Sequence, residues 1–106
     1  MDVRLAQRLA WENMVAKGFN TSNVPLEFCL LSGEIAEAFD AWRKGRPDVA
    51  DELADAAIVV LGLAEMLRID LQDAIEGKLA KNPARSGYDR LPNGTAVTTD
   101  SPADGE

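Results

Sequence analysis

The apolar positions of the chain recur every three or four residues in four separate segments, which is the period of an amphipathic helix. The first segment covers about residues 3–17, with Asp2 as its cap and Gly18 as its end. The second begins near Pro25 and ends before Gly45. No alternation typical of strands, bounded by hairpin turns, is present. The pattern predicts an all-α fold.

Two further helices complete the prediction. The third segment runs from Pro47 or Asp48 to about residue 68, and the fourth covers roughly residues 71–81. Asp70, with Asp73 three residues later, is typical of the cap that opens a helix. Because the connections are short, we expect the helices to form an antiparallel four-helix bundle-like subunit.

The middle of the third helix, residues 56–64, is apolar on every side. Such a helix must be covered by neighbours all round, yet a domain of this size buries only about 60–65% of the surface of its unfolded chain. The sequence therefore predicts a homo-oligomer, either a homodimer or a homotetramer.

Length and composition favour a single domain. The 106 residues are 46% hydrophobic, enough for one core and too few for two. Residues 92–106 hold almost no bulky apolar side chain. We expect the domain to cover residues 1–91 and a disordered tail to follow it.

Charge and targeting signals narrow the possible partners. Eleven basic and 18 acidic residues give a net charge of −7, which disfavours nucleic acid and anionic membranes as partners. The start of the chain lacks a basic region followed by an apolar run, and no apolar stretch approaches the roughly 20 residues that span a bilayer. We expect a cytoplasmic protein, in which the single cysteine, Cys29, is a buried core thiol.

The candidate chemistry lies in two acid pairs: Glu34 with Glu37, and Glu52 with Asp55. Residues three apart on a helix lie on the same flank, and a tight turn between the helices would bring both pairs to one groove. Four carboxylates so close would repel unless a cation neutralised them. The chain contains no histidine, so oxygen-only ligands favour Mg²⁺ or Mn²⁺. The alternative is that these acids belong to solvated helix faces.

A possible anion-binding run follows on the fourth helix. Lys78, Asn82 and Arg85 are spaced by four and three residues across the predicted end of the helix. Lysine and arginine bind phosphate oxygens, and asparagine both donates and accepts hydrogen bonds. The alternative is an ordinary helix end, where a lysine suits the helix dipole and asparagine precedes proline.

The spacing Glu34-x-x-Glu37, 14 residues, Glu52-x-x-Asp55 resembles the motif of the all-α nucleoside triphosphate pyrophosphohydrolases. These are the MazG-like and dimeric dCTPase/dUTPase-like enzymes, and the resemblance covers about residues 25–88. It includes LSGEIAEAFDAWRKG around the first pair. The resemblance implies hydrolysis of a (deoxy)nucleoside triphosphate between the α and β phosphates, with a role in nucleotide-pool house-cleaning.

The resemblance also implies roles for single residues. The four acids would bind Mg²⁺, with Mn²⁺ as a possible substitute, and Glu34 or Glu37 would also orient or deprotonate the attacking water. The run of Lys78, Asn82 and Arg85 would hold the nucleotide. A non-catalytic helical dimerisation or regulatory module remains the alternative function.

Base recognition is less defined. Trp11, Trp42 and Phe19 are able to stack on a base, although both tryptophans also suit a core. Tyr88 follows the anion-binding run and would either close over the substrate or anchor the C-terminal loop. The loop before the second helix lacks the histidine that often frames the base pocket in the dCTPase-like enzymes, so no base preference is predicted.

Overall fold

The computed structural model describes residues 1–81, 88–90 and 96–98. Its helices are α1 (Val3–Lys17), α2 (Val24–Arg43), α3 (Val49–Met66) and α4 (Leu71–Lys81), followed by two short strands, β1 (Tyr88–Arg90) and β2 (Ala96–Thr98). The four helices lie where the apolar pattern predicts them. The prediction of an all-α fold is therefore confirmed.

The two strands pair antiparallel, with Tyr88 opposite Thr98 and Arg90 opposite Ala96. The sequence pattern does not indicate this pair, because three residues are too few to display an alternation. Strand β2 lies within residues 92–106, for which the sequence predicts disorder, and the rest of that segment lies outside the described residues. The domain boundary at residue 91 stays a prediction.

Local side chains set the helix ends. Asp2 caps α1 by accepting a 2.7 Å hydrogen bond from the backbone N–H of Leu5, and Asn23 caps α2 in the same way through Leu26. Gly18 ends α1 in the left-handed conformation, at φ +69°, which glycine adopts without steric cost. These groups satisfy backbone donors and acceptors that a helix end leaves without partners.

The chain forms two compact units, residues 1–74 and residues 75–106. In the first unit, α1 and α2 both pack against α3. A turn at residues 44–48 folds α3 back along α2, with Gly45 at φ +67° and the N–H of Arg46 donating to the carbonyl of Ala41. Antiparallel packing of α2 and α3 follows from this tight turn.

Close contact between α1 and α3 depends on small residues. Met14, which is buried on α1, lies directly over Gly62 of α3, so that a methyl group added to Gly62 would overlap the thioether of Met14. Gln7 is also buried: its amide donates to Glu65 and to the carbonyl of Ile69. These contacts hold α1 against the C-terminal half of α3.

Large apolar side chains on α2 and α3 remain at the surface of the single chain. Trp42 is 67% exposed, and Phe39 and Leu53 are more than half exposed. The rings of Phe39 and Trp42 lie 6.1 Å apart between centroids. This face is what a homo-oligomer would cover, and the oligomeric state stays a prediction.

The prediction for Cys29 is wrong, because its side chain is exposed. Its neighbours Phe28 and Leu30 are exposed as well. The apolar stripe of α2 is therefore wider than the face that packs within the chain.

Among the described residues, no helix combines the length and the apolar character needed to cross a membrane.

Candidate functional site

Three of the predicted acids meet where α2 packs against α3. One carboxylate oxygen from each of Glu34, Glu37 and Glu52 lies within 4.8 Å of the other two. Glu34 and Glu37 are one turn apart on α2, and the tight turn before α3 brings Glu52 to them. We call these three residues the acidic cluster.

Glu37 is the central member of the acidic cluster. It is the strongest like-charged neighbour of both Glu34 and Glu52. Asp55, the fourth predicted acid, is exposed and lies outside this group of three close oxygens. Asp55 nevertheless repels both Glu34 and Glu52 electrostatically, so it stands at the edge of the same cluster.

The acidic cluster contains two buried oxygens that lack a partner. One carboxylate oxygen of Glu34 and one of Glu52 are buried and accept no hydrogen bond from the described residues. Burial, followed by the charge of Glu37, raises the pKa of both carboxyl groups above the ordinary value. A buried acceptor without a donor is costly, and three carboxylates repel one another.

A hard divalent cation fits this arrangement. It would bind the two unpartnered oxygens of Glu34 and Glu52 as ligands, and its charge would offset the repulsion between the carboxylates. An all-oxygen donor set is the one that Mg²⁺ and Mn²⁺ prefer.

Arg46, in the turn between α2 and α3, brings a positive charge beside the acids. Its guanidinium holds Asp48 through two hydrogen bonds, at 3.1 and 2.6 Å, and one nitrogen lies 3.9 Å from a carboxylate oxygen of Glu52. These acids raise the pKa of Arg46, Asp48 most strongly. Arg46 is not among the residues that the sequence pattern singles out, although an arginine two residues before the acid that opens a helix often indicates an ion pair with that acid.

Two clefts open beside the acidic cluster. The first, which we call the polar cleft, has a volume of about 550 Å³ and is lined by Ala36, Glu37, Asp40, Arg46 and Glu52. The second, which we call the α1 cleft, has a volume of about 430 Å³, and its lining includes Met14, Phe19, Asn20, Glu27, Glu34 and Asp55. Each cleft is therefore lined by one acid of each predicted pair: Glu37 and Glu52 line the polar cleft, and Glu34 and Asp55 line the α1 cleft.

Glu27 is a buried acid of the α1 cleft that the sequence analysis missed. It is only 5% exposed, and its Oε1 accepts a 2.9 Å hydrogen bond from the amide of Asn20. The same amide donates to the carbonyl of Asn23, and the Asn20 carbonyl accepts from the N–H of Asn23. The available signal is position: Glu27 stands seven residues before Glu34 and therefore on the same face of α2.

The predicted substrate-binding residues Lys78, Asn82, Arg85 and Tyr88 all come after residue 74, outside the compact unit that holds the acids. Lys78 is an exposed residue of α4 in the second compact unit. Asn82 and Arg85 lie outside the described residues. Tyr88 is the first residue of β1, of which only the backbone is described. Their contact with substrate stays a prediction.

The aromatic candidates differ in position. Phe19 lines the α1 cleft, whereas Trp11 is half-buried on α1 and lines neither cleft beside the acids. Trp42 lines an apolar groove together with Phe39 and Leu53. A substrate contact by Trp11 stays a prediction.

A comparison with known protein families matches residues 28–88 to the MazG nucleotide pyrophosphohydrolase domain. Neither a curated protein nor a solved structure matches the chain significantly. The matched region spans more than half of the chain and contains the whole acidic cluster. The chain therefore belongs to the MazG nucleotide pyrophosphohydrolase family.

Proposed function

We propose that this protein hydrolyses (deoxy)nucleoside triphosphates between the α and β phosphates, releasing a nucleoside monophosphate and pyrophosphate. The observation that carries the proposal is the acidic cluster, with its two unpartnered buried oxygens, inside the region that matches the family. Removal of unwanted nucleotides from the cytoplasmic pool is the role that this reaction would serve.

Glu34, Glu37 and Glu52 would hold Mg²⁺, with Mn²⁺ as a substitute and Asp55 as an additional ligand at the edge. When bound, the cation supplies the positive charge that lets an acidic protein hold an acidic substrate, and it makes water easier to deprotonate. Because the net charge is −7, an anionic substrate has to be held by local positive charge, part of which the cation would supply.

Side chains of the protein would activate the water and bind the phosphates. A carboxylate oxygen of Glu34 or Glu37 would orient the attacking water and accept its proton. Arg46 provides a positive charge in the polar cleft, which Glu37 and Glu52 also line. Lys78, Asn82 and Arg85 would contribute further phosphate contacts, because their side chains are of anion-binding types.

The experiment is a product analysis with a panel of nucleoside triphosphates, in Mg²⁺, in Mn²⁺ and in a chelator. We expect pyrophosphate and monophosphate in equal amounts, only when a divalent cation is present. The substitution Glu37→Gln should lower turnover by about 100-fold or more, as expected when a group acting on the attacking water is removed. Glu12→Gln, on the exposed side of α1, is the matched control. Orthophosphate as the sole product, or an active Glu37→Gln variant, would contradict the proposal.

The exposed apolar face of α2 and α3 supports a second proposal, that the chain assembles as a homodimer or a homotetramer. Ile35, Phe39, Trp42 and Leu53 all contribute to this face, and each is more than half exposed. Light scattering of the wild-type protein and of Trp42→Glu tests it. A wild-type monomer at micromolar concentration would refute the assembly.

The same face favours the alternative function, a non-catalytic helical dimerisation or regulatory module. A ligand that binds only the folded state must raise thermal stability. Thermal melts with and without Mg²⁺ and nucleotide therefore separate the two functions. A melting temperature that neither ligand changes would favour the module.

A further inference from the structure

Two polar residues are buried among the described residues, Gln7 and Glu27. Gln7 is fully used by the fold, because its amide donates to Glu65 and Ile69 and its carbonyl accepts from the N–H of Leu71. Glu27 differs, because it lines the α1 cleft. A buried carboxylate facing a cavity needs a reason beyond the fold, since burying a charge is costly.

The α1 cleft connects Glu27 with the acidic cluster. Glu27 and Glu34 both line it, and they lie seven residues apart on one face of α2. Two helical turns correspond to a rise of about 10 Å. This separation is comparable to the distance from the phosphate of a nucleotide to the outer edge of its base. A nucleotide whose phosphates lie at the acids would therefore reach Glu27 with its base.

The walls of the α1 cleft suit the flat faces of a base. Met14, Leu30, Ile58 and Val59 supply apolar side chains, and the ring of Phe19 lies at its surface. Ligand sites are typically apolar walls with a few well-placed polar groups that fix orientation. In this cleft Glu27 is such a group.

The hydrogen bonds around Glu27 define what it is able to recognise. An ionised carboxylate only accepts hydrogen bonds and has about four acceptor positions, of which Asn20 occupies one. Both donors of the Asn20 amide are used, on Glu27 and on the carbonyl of Asn23. Asn20 therefore holds Glu27 in place and leaves the carboxylate as the group that a base meets.

Guanine is the common base that matches a lone carboxylate. Its ring N–H and its exocyclic amino group are adjacent donors on one edge and are able to bind both carboxylate oxygens together. Adenine and cytosine present an amino group beside an acceptor nitrogen, and uracil and thymine present one N–H between two carbonyls. Their acceptors would face the negative charge of Glu27, which is unfavourable.

We propose that the α1 cleft binds the nucleobase and that Glu27 is a specificity-determining residue that selects guanine nucleotides by accepting hydrogen bonds from their two adjacent N–H groups. This inference rests on the proposed function, because it assumes that the acidic cluster holds the phosphates of the same nucleotide. Asn20 acts as a positioning residue for Glu27.

The test compares GTP with ITP, which differs only by lacking the exocyclic amino group. For the wild-type protein we expect kcat/KM to be higher for GTP than for ITP by about 10-fold or more, the usual value of one hydrogen bond to a charged acceptor, because ITP keeps the ring N–H. Glu27→Gln should bring the ratio close to one, mainly by lowering kcat/KM for GTP. Glu12→Gln should keep the wild-type ratio. Circular dichroism and thermal melts of each variant report whether the fold is retained.

Several results would overturn the inference. A wild-type GTP to ITP ratio near one overturns it without any variant. A Glu27→Gln variant that loses kcat/KM equally for GTP, ATP, CTP and UTP also overturns it, because Glu27 would then contact the sugar or support the fold.

Calorimetric binding of GMP and IMP separates this inference from the proposed function. Tighter binding of GMP, lost in Glu27→Gln, supports the role of Glu27 even if no triphosphate is hydrolysed. Turnover of all nucleotides with equal binding of GMP and IMP overturns only the role of Glu27. Absence of both turnover and binding overturns both.

Discussion

A guanidinium nitrogen of Arg46 lies 3.9 Å from a carboxylate oxygen of Glu52, so the turn between α2 and α3 places a cation at the border of the acidic cluster. Asp48 holds this guanidinium in place through two hydrogen bonds. Arg46 therefore offsets part of the negative charge of the cluster, and it would compete with a divalent cation bound there for Glu52.

Arg46→Gln should strengthen the binding of Mg²⁺ or Mn²⁺. Ion pairs open to solvent are weak, so the affinity should rise only by a factor of about 2 to 5. Isothermal titration calorimetry measures it. Arg8→Gln makes the same change in net charge in a different cleft, lined also by Arg4 and Arg68, and should leave the affinity unchanged. Weaker binding in Arg46→Gln would show that Arg46 positions Glu52 instead of competing for it.

Glu34→Gln should stabilise the metal-free protein at neutral pH. Burial and the charge of Glu37 raise the pKa of Glu34, so the folded chain binds more protons than the unfolded chain at pH values above the ordinary value of 4.5. The free energy of unfolding therefore falls as pH rises through that window, and the neutral amide avoids this loss. Thermal melts in a chelator should show the stabilisation at pH 7 and its disappearance towards pH 4. A melting temperature below that of wild type at pH 7 would count against this reading.

Asp70→Ala should lower the free energy of unfolding by about 0.5–2 kcal/mol, the usual cost of losing an N-cap. Asp70 accepts a hydrogen bond from the N–H of Asp73 and forms an ion pair with Arg4. Both contacts lower the pKa of Asp70. Asp70→Asn keeps a capping side chain, so its free energy of unfolding should fall by less than that of Asp70→Ala. Urea unfolding of both variants measures the difference. Equal losses would assign the effect to the ion pair with Arg4.

Gly62→Val should destabilise the first compact unit by about 1–3 kcal/mol, because overpacking forces neighbours out of place. The added side chain would meet Met14, which is buried between α1 and α3. Gly77→Ala, on α4, is the control: its added methyl group meets no described atom within 4 Å. Since alanine favours the helix more than glycine does, the free energy of unfolding of Gly77→Ala should rise by about 0.5–1 kcal/mol. Urea unfolding measures the stability of both variants. If Gly62→Val had the same free energy of unfolding as the wild type, Met14 would have to move aside without cost.

The helices were predictable because their signals are local. Asp2 and Gly18 mark the ends of α1 within a few residues, and the structure has these ends as predicted. The meeting of Glu34 and Glu37 with Glu52 was predictable for a related reason: helical periodicity places each acid on a flank, and a short turn brings the flanks together.

The features that the sequence did not indicate depend on contacts between distant parts of the chain. The burial of Glu27 requires the loop after α1, through Asn20, to cover the start of α2. The exposure of Cys29 depends on which part of a wide apolar stripe the chain itself covers. A hydrophobic pattern shows that a face is apolar, but it does not distinguish a face covered within the chain from one left open to another molecule.

The tight turn at residues 44–48 also has a consequence for the order of folding. The acids that it brings together are close in sequence, so we expect them to meet in an early, local hairpin and not in a late long-range contact. Their repulsion would then oppose the first steps of folding, and a divalent cation that removes this repulsion should accelerate refolding. Stopped-flow refolding in Mg²⁺ and in chelator measures this; equal rates would mean that the hairpin closes only after the rest of the subunit has formed.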